Sequence, residues 1–76
     1  MLKLNEKRYK EILKQKNFSE RVKKLFRTYG KHRNNGLSNL DIAERTGVSY
    51  STFYNYGADI AYCYEVTRED IILNNE

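Results

Sequence analysis

Apolar residues return along this chain at helical rather than alternating spacing. After Asn5, a good helix N-cap, Tyr9, Ile12 and Leu13 fall on one face, joined by Leu2, while Lys7, Arg8, Lys10 and Lys14 face away. This predicts an amphipathic, basic helix over about residues 6 to 16. Ser19 marks a fresh start, with Glu20 suited to the positive end of the helix dipole. Val22, Leu25, Phe26 and Tyr29 then follow at i, i+3, i+4 and i+7, a core-facing stripe, with Arg21, Lys23, Lys24 and Arg27 on the polar side. Gly30 reads as a left-handed cap ending this helix, and residues 31 to 37, KHRNNGL, read as an exposed loop.

Ser38, with Asp41 three residues on, resembles a capping box, and Leu40, Ile42 and Ala43 begin a short helix that stops at Gly47. Ser49 caps the next helix. Along it Phe53, Tyr56, Ile60 and Tyr64 share one face, with Ser51, Asn55, Ala58 and Tyr62 opposite. Gly57 is its weak point, where the helix either runs on or breaks and resumes with Asp59 as a cap. Thr67 caps a last short turn over residues 68 to 73.

At 76 residues, without proline and with four glycines, this is a single all-α domain over residues 1 to 76: a small bundle of four to five helices. Its parts are basic N-terminal helices over 1 to 30, a helix-turn-helix over about 38 to 57 and a C-terminal helical segment over 58 to 73. No run reaches the length of a membrane span, and the start lacks a signal-peptide apolar block, so a soluble, cytoplasmic protein with no membrane partner is expected. Cys63 has neither a second cysteine nor a nearby histidine at ligand spacing; no metal or cofactor is expected, and the thiol is read as a buried apolar group. His32 lies among charges without a catalytic grouping, and the chain is not read as an enzyme.

The net charge of +4 hides an asymmetry. Residues 1 to 33 hold twelve Lys or Arg against three acids, and residues 34 to 76 hold Arg45 and Arg68 against seven acids. A basic segment suited to a polyanion is joined to one with another task. The bland alternative is a solvated basic surface that binds nothing.

The segment 39 to 58, NLDIAERTGVSYSTFYNYGA, meets the requirements of a helix-turn-helix. Ala43 is the small crossing residue and Gly47 the turn, while Val48, Phe53 and Tyr56, with Ile42 beneath, lock the helices. Within that class, Ile42-Ala43, Gly47-Val48-Ser49 and Tyr54-Asn55-Tyr56 resemble the DNA-binding segment of the tetracycline-repressor family. That family's long ligand-binding and dimerisation domain has no counterpart, and two basic helices stand where the family usually has one. Similar motifs occur in phage and mobile-element repressors, excisionases, transposase ends and small terminase subunits.

The resemblance implies that the second helix enters the major groove of double-stranded DNA with Tyr50, Ser51, Thr52, Tyr54 and Asn55 toward the base edges. Asn55 is suited to adenine, and the tyrosines to a phosphate or a thymine methyl. Ser49 reads as a cap rather than a contact; Thr52 facing inward and Tyr54 as a plain surface aromatic remain open. This helix has no Lys or Arg, so phosphate contacts are assigned to Lys31, His32, Arg33 and Arg45, to the helix-start amides near Ser38 and Asn39, and to the basic faces of the first two helices. The expected function is sequence-specific DNA binding, as a transcriptional repressor or accessory regulator. A homodimer is expected because the domain is small and Leu2, Leu4, Ile71 and Ile72 lie near its ends. The rival is a helix-turn-helix scaffold whose Tyr-rich face binds a protein. By analogy of size and charge, it could be a phage or mobile-element inhibitor of a nucleic-acid-guided defence complex.

Overall fold

The computed structural model describes residues 1 to 73, and among them there are helices and no strand. In chain order they are α1 (Glu6–Gln15), α2 (Glu20–Asn34), α3 (Asn39–Thr46), α4 (Tyr50–Asn55), α5 (Gly57–Tyr64) and α6 (Arg68–Ile72). The fold is the expected all-α bundle, with six helices instead of four to five because the segment from residue 49 to 73 is divided into three.

Most helix starts follow from one local device. Asn5, Ser19, Ser38, Ser49 and Thr67 each accept a hydrogen bond from the backbone N–H three residues on, satisfying a donor that the helix itself leaves free. Thr67 and Asp70 complete a reciprocal capping box. Gly47 ends α3 at φ 78°, in the left-handed region, and its N–H returns to the last turn of the helix.

Two glycine expectations need correction. Gly30 does not end α2; it is a helical, buried residue, and the helix runs on through Lys31, His32 and Arg33 to Asn34. The supposed loop 31 to 37 is therefore helical over its first four residues. At Gly30 the constraint is contact with a neighbouring ring: a Cβ there would lie 2.6 Å from Cε1 of Tyr64. The Tyr64 hydroxyl donates to the Phe26 carbonyl at 2.6 Å and accepts from the Gly30 N–H at 3.0 Å, bridging one turn of α2. Burial pushes that phenol up to about 12, so it stays protonated and able to donate. Gly57 does mark the break between α4 and α5, but it opens α5 itself, with Asp59 inside the first turn and not capping. Here a Cβ would meet Cγ2 of Ile72 at 2.8 Å, so the missing side chain lets α6 close onto α5.

The long helix α2 is the axis of the core. Leu25, Phe26 and Tyr29 are fully buried together with Ile42, Phe53, Ile60 and Cys63. Phe26 stacks with Phe18 and Tyr9 and meets the edge of Tyr56, while Tyr29 packs on Phe53 and Tyr64, so α2 joins α1, α4 and α5 through aromatic contacts. Each such ring contributes roughly 1.5 to 3 kcal/mol by leaving water. The terminal residues expected to serve a dimer are used within the monomer. Ile71 and Ile72 are buried, and Leu2 and Leu4 pack against the core. Leu40, in the first turn of α3, is 63% exposed.

Candidate nucleic-acid interface

Helices α3 and α4 pack on each other across the three residues Gly47, Val48 and Ser49. The Val48 N–H donates to the Ala43 carbonyl, fixing the turn, and Phe53 anchors α4 from beneath with no exposed surface. What α4 leaves outward is Tyr50, Ser51, Tyr54 and Asn55. The Tyr50 ring lies parallel to Phe53 at 6.3 Å and is 6.4 Å from Tyr54, so the two exposed tyrosines are braced from within. Thr52 is half-buried; its hydroxyl lies 2.8 Å from that of Ser49, which also accepts the Thr52 N–H at 3.1 Å. Ser49 and Thr52 therefore form the cap of α4, and Thr52 turns toward that cap.

The residues assigned to phosphate contact divide. Arg45 is exposed on α3 and Lys31 on the last turn of α2, and both lie close enough to His32 to disfavour its protonation. Partial burial, followed by the charges of Arg45, Lys31 and Lys24, holds the His32 imidazole below its ordinary 6.5. Lys24, Lys31 and Arg45 thus bring positive charge to bear on His32 from α2 and α3. Ser38 is half-buried and caps α3.

Arg33 requires correction as a phosphate contact. It turns inward: its guanidinium donates to the Tyr29 hydroxyl at 3.2 Å and the Leu37 carbonyl at 2.8 Å, and it lies over the Tyr29 ring. The Asn39 side chain also turns inward; it is completely buried, and its Nδ2 donates to the carbonyls of Ile71 at 2.9 Å and Ile72 at 3.4 Å, tying α3 to the end of α6. What Asn39 offers a phosphate is therefore its place at the start of α3, as expected of the helix-start amides, and not its side chain.

Two arginines flank the motif: Arg21, from the basic face of α2 expected toward water or phosphate, and Arg68, which carried no expected role. Arg21, at the start of α2, runs its side chain along Gly47 and donates to the Gly47 carbonyl at 3.4 Å. Arg68, at the start of α6, lies over the Tyr54 ring at 5.5 Å. Neither contact has a local sequence signal, since 26 residues separate Arg21 from Gly47 and α6 is brought near α4 by its packing on α5. Arg8 of α1 and Lys16, its C-cap, are held elsewhere. Lys16 pairs with Asp59 at 2.6 Å, and Arg8 donates to the Tyr62 carbonyl and stacks on its ring. Cys63 is buried as expected, and its thiol is pushed up to about 11 by burial and by Asp59, which leaves it an unreactive packing group near neutral pH.

Among the described residues no cluster of metal-ligating side chains occurs, and no helix is long and apolar enough to cross a membrane. Compared with protein-family models, curated proteins and solved structures, the chain has no match in any of the three.

Proposed function

We propose that this protein binds double-stranded DNA sequence-specifically, with α4 in the major groove, and acts in the cytoplasm as a repressor or accessory regulator. The observation carrying this reading is the α3–Gly47–α4 unit, whose outward row on α4 is polar, aromatic and uncharged while Arg21 lies along its turn and further cations stand on α2 and α3. Uncharged donors and acceptors are suited to base edges, and flanking cations to phosphates, the division of labour expected of a groove-reading helix. Ser51 and Asn55 are the proposed polar base contacts, with Tyr50 and Tyr54 against sugar, phosphate or thymine methyl. Arg45, Lys31 and Lys24 are the proposed phosphate contacts, joined by Arg21 at the turn. We further propose a homodimer that sets two copies of α4 about 34 Å apart, one turn of duplex. Because Ile71 and Ile72 are consumed in the core, its contact must use other residues.

Selection from random duplexes, followed by titration of the selected site against unrelated DNA, tests the reading. Asn55→Ala should cost about 1 to 3 kcal/mol at the selected site alone. Lys31→Ala with Arg45→Ala should weaken all sequences and flatten the salt dependence by about one unit per lost phosphate. A wild-type protein that selects no sequence and shows no salt-dependent duplex binding refutes the reading. The exposed pair Tyr50 and Tyr54, braced on Phe53, favours a second reading in which α4 docks on a protein. In that case Tyr54→Ala abolishes capture of the partner while salt has little effect.

A further inference from the structure

The helix proposed to read the groove has no arginine, yet the fold brings one to its surface from another element. Arg68 begins α6, thirteen residues beyond the end of α4, and three features hold it in place. Thr67 and Asp70 close a capping box around it, fixing the first turn of α6. Its stem crosses the open side of Gly57, where Cγ stands 3.9 Å from the position a Cβ would occupy. Its guanidinium lies over the Tyr54 ring, 5.5 Å from the centroid. Asp70, the nearest acid in α6 to be engaged, is occupied by the Thr67 backbone N–H. Among the described residues, no carboxylate lies within ion-pair distance of Arg68.

We infer that Arg68 is a specificity-determining residue of this interface, carried into the major groove beside Tyr54 to read a guanine through O6 and N7. The inference rests on the DNA-binding reading of α4. A phosphate contact requires only a charge, and the flanking cations on α2 and α3 already supply several. A guanidinium placed over an aromatic ring, 5.5 Å from its centroid, offers more: a planar fork of donors already gathered beside the groove-facing row, which is what bidentate base recognition needs. Stacking on Tyr54 also gives that tyrosine a task, as the platform that aims the arginine. Gly57 then serves two purposes, admitting Ile72 to the core and leaving a path for the Arg68 stem.

The test uses the full chain and the duplex it selects from a random pool. Arg68→Gln retains most of the stem, and Arg68→Lys retains the charge; circular dichroism melting of both checks that α6 remains docked. Both variants should lose roughly 10- to 100-fold in affinity for the selected site, the range for one bidentate base contact, with little loss on unrelated duplex. Reselection with Arg68→Lys should no longer enrich guanine at one position. Full binding by Arg68→Lys, or a uniform loss on all sequences by Arg68→Gln with a shallower salt slope, would make Arg68 a phosphate contact and overturn the inference. Unchanged affinity in both variants overturns it while leaving the DNA-binding reading intact. Failure of the wild-type protein to select any duplex overturns both.

Discussion

Gly30→Ala separates a helix terminator from a packing seat. In an unobstructed helix interior the change should stabilise the protein, since alanine is favoured over glycine by about 1 kcal/mol. Here the new methyl would lie 2.6 Å from Tyr64 Cε1, 3.2 Å from the Leu2 carbonyl oxygen and 3.3 Å from Tyr64 Cζ. Comfortable carbon contacts begin near 3.5 Å, so the ring or the helix must give by almost an ångström. The ring is closely confined, with Tyr29 at 5.3 Å between centroids and its hydroxyl tied to both Phe26 and Gly30. Overpacking of this kind costs about 1 to 3 kcal/mol, and a ring that tips away also gives up hydrogen bonds worth about 1 kcal/mol each. After the propensity gain, a net loss of about 1 to 2 kcal/mol is expected. For a domain of this size that lowers the melting temperature by roughly 4 to 16 °C.

The assay is denaturant and thermal unfolding followed by far-UV circular dichroism, run in wild-type and Tyr64→Leu backgrounds. Removing the ring removes the obstruction, so Gly30→Ala should become neutral or stabilising there, with a coupling of about 1 kcal/mol or more. A left-handed cap would show no such coupling. A higher melting temperature for Gly30→Ala alone, or the same cost in both backgrounds, would refute the seating of Tyr64 on α2.

Asn39→Ala should cost about 1 to 3 kcal/mol by leaving the Ile71 and Ile72 carbonyls without their donor; an unchanged stability would show that α6 does not depend on Asn39. Gly47→Ala, at φ 78° and with Arg21 Cδ 3.3 Å from the new Cβ, should cost about 1 to 2 kcal/mol in thermal unfolding, and a change near zero would rule out the left-handed turn. His32 is held below 6.5 when folded, so protonating it opposes folding: its contribution is complete above about pH 6.5 and is lost as the pH falls below that. A DNA phosphate placed among Lys24, Lys31, His32 and Arg45 should raise the imidazole pKa, so binding below about pH 6.5 takes up a proton and strengthens. An imidazole pKa that NMR finds identical in the free and DNA-bound protein would remove His32 from the interface.

The helix starts and the turn between α3 and α4 were legible because each is a local matter. Asn5, Ser19, Ser38, Ser49 and Thr67 cap through a backbone N–H only three residues away, and Gly47 ends α3 by its own φ. The 3.6-residue period likewise picks out the buried face of α2, since Val22, Leu25, Phe26 and Tyr29 need only a helix to share a side. Tertiary structure decided everything that depends on a distant neighbour. Gly30 looks like a terminator until Tyr64, 34 residues away, needs its space. Asn39 and Arg33 look like surface groups until α6, Tyr29 and Leu37 supply acceptors from positions distant in the chain or in the next turn, although Asn39 Oδ1 and Arg33 Nη2 are left without partners. Arg68 comes to Tyr54 by the packing of α6 on α5, across a glycine whose missing side chain has no meaning until the two helices touch.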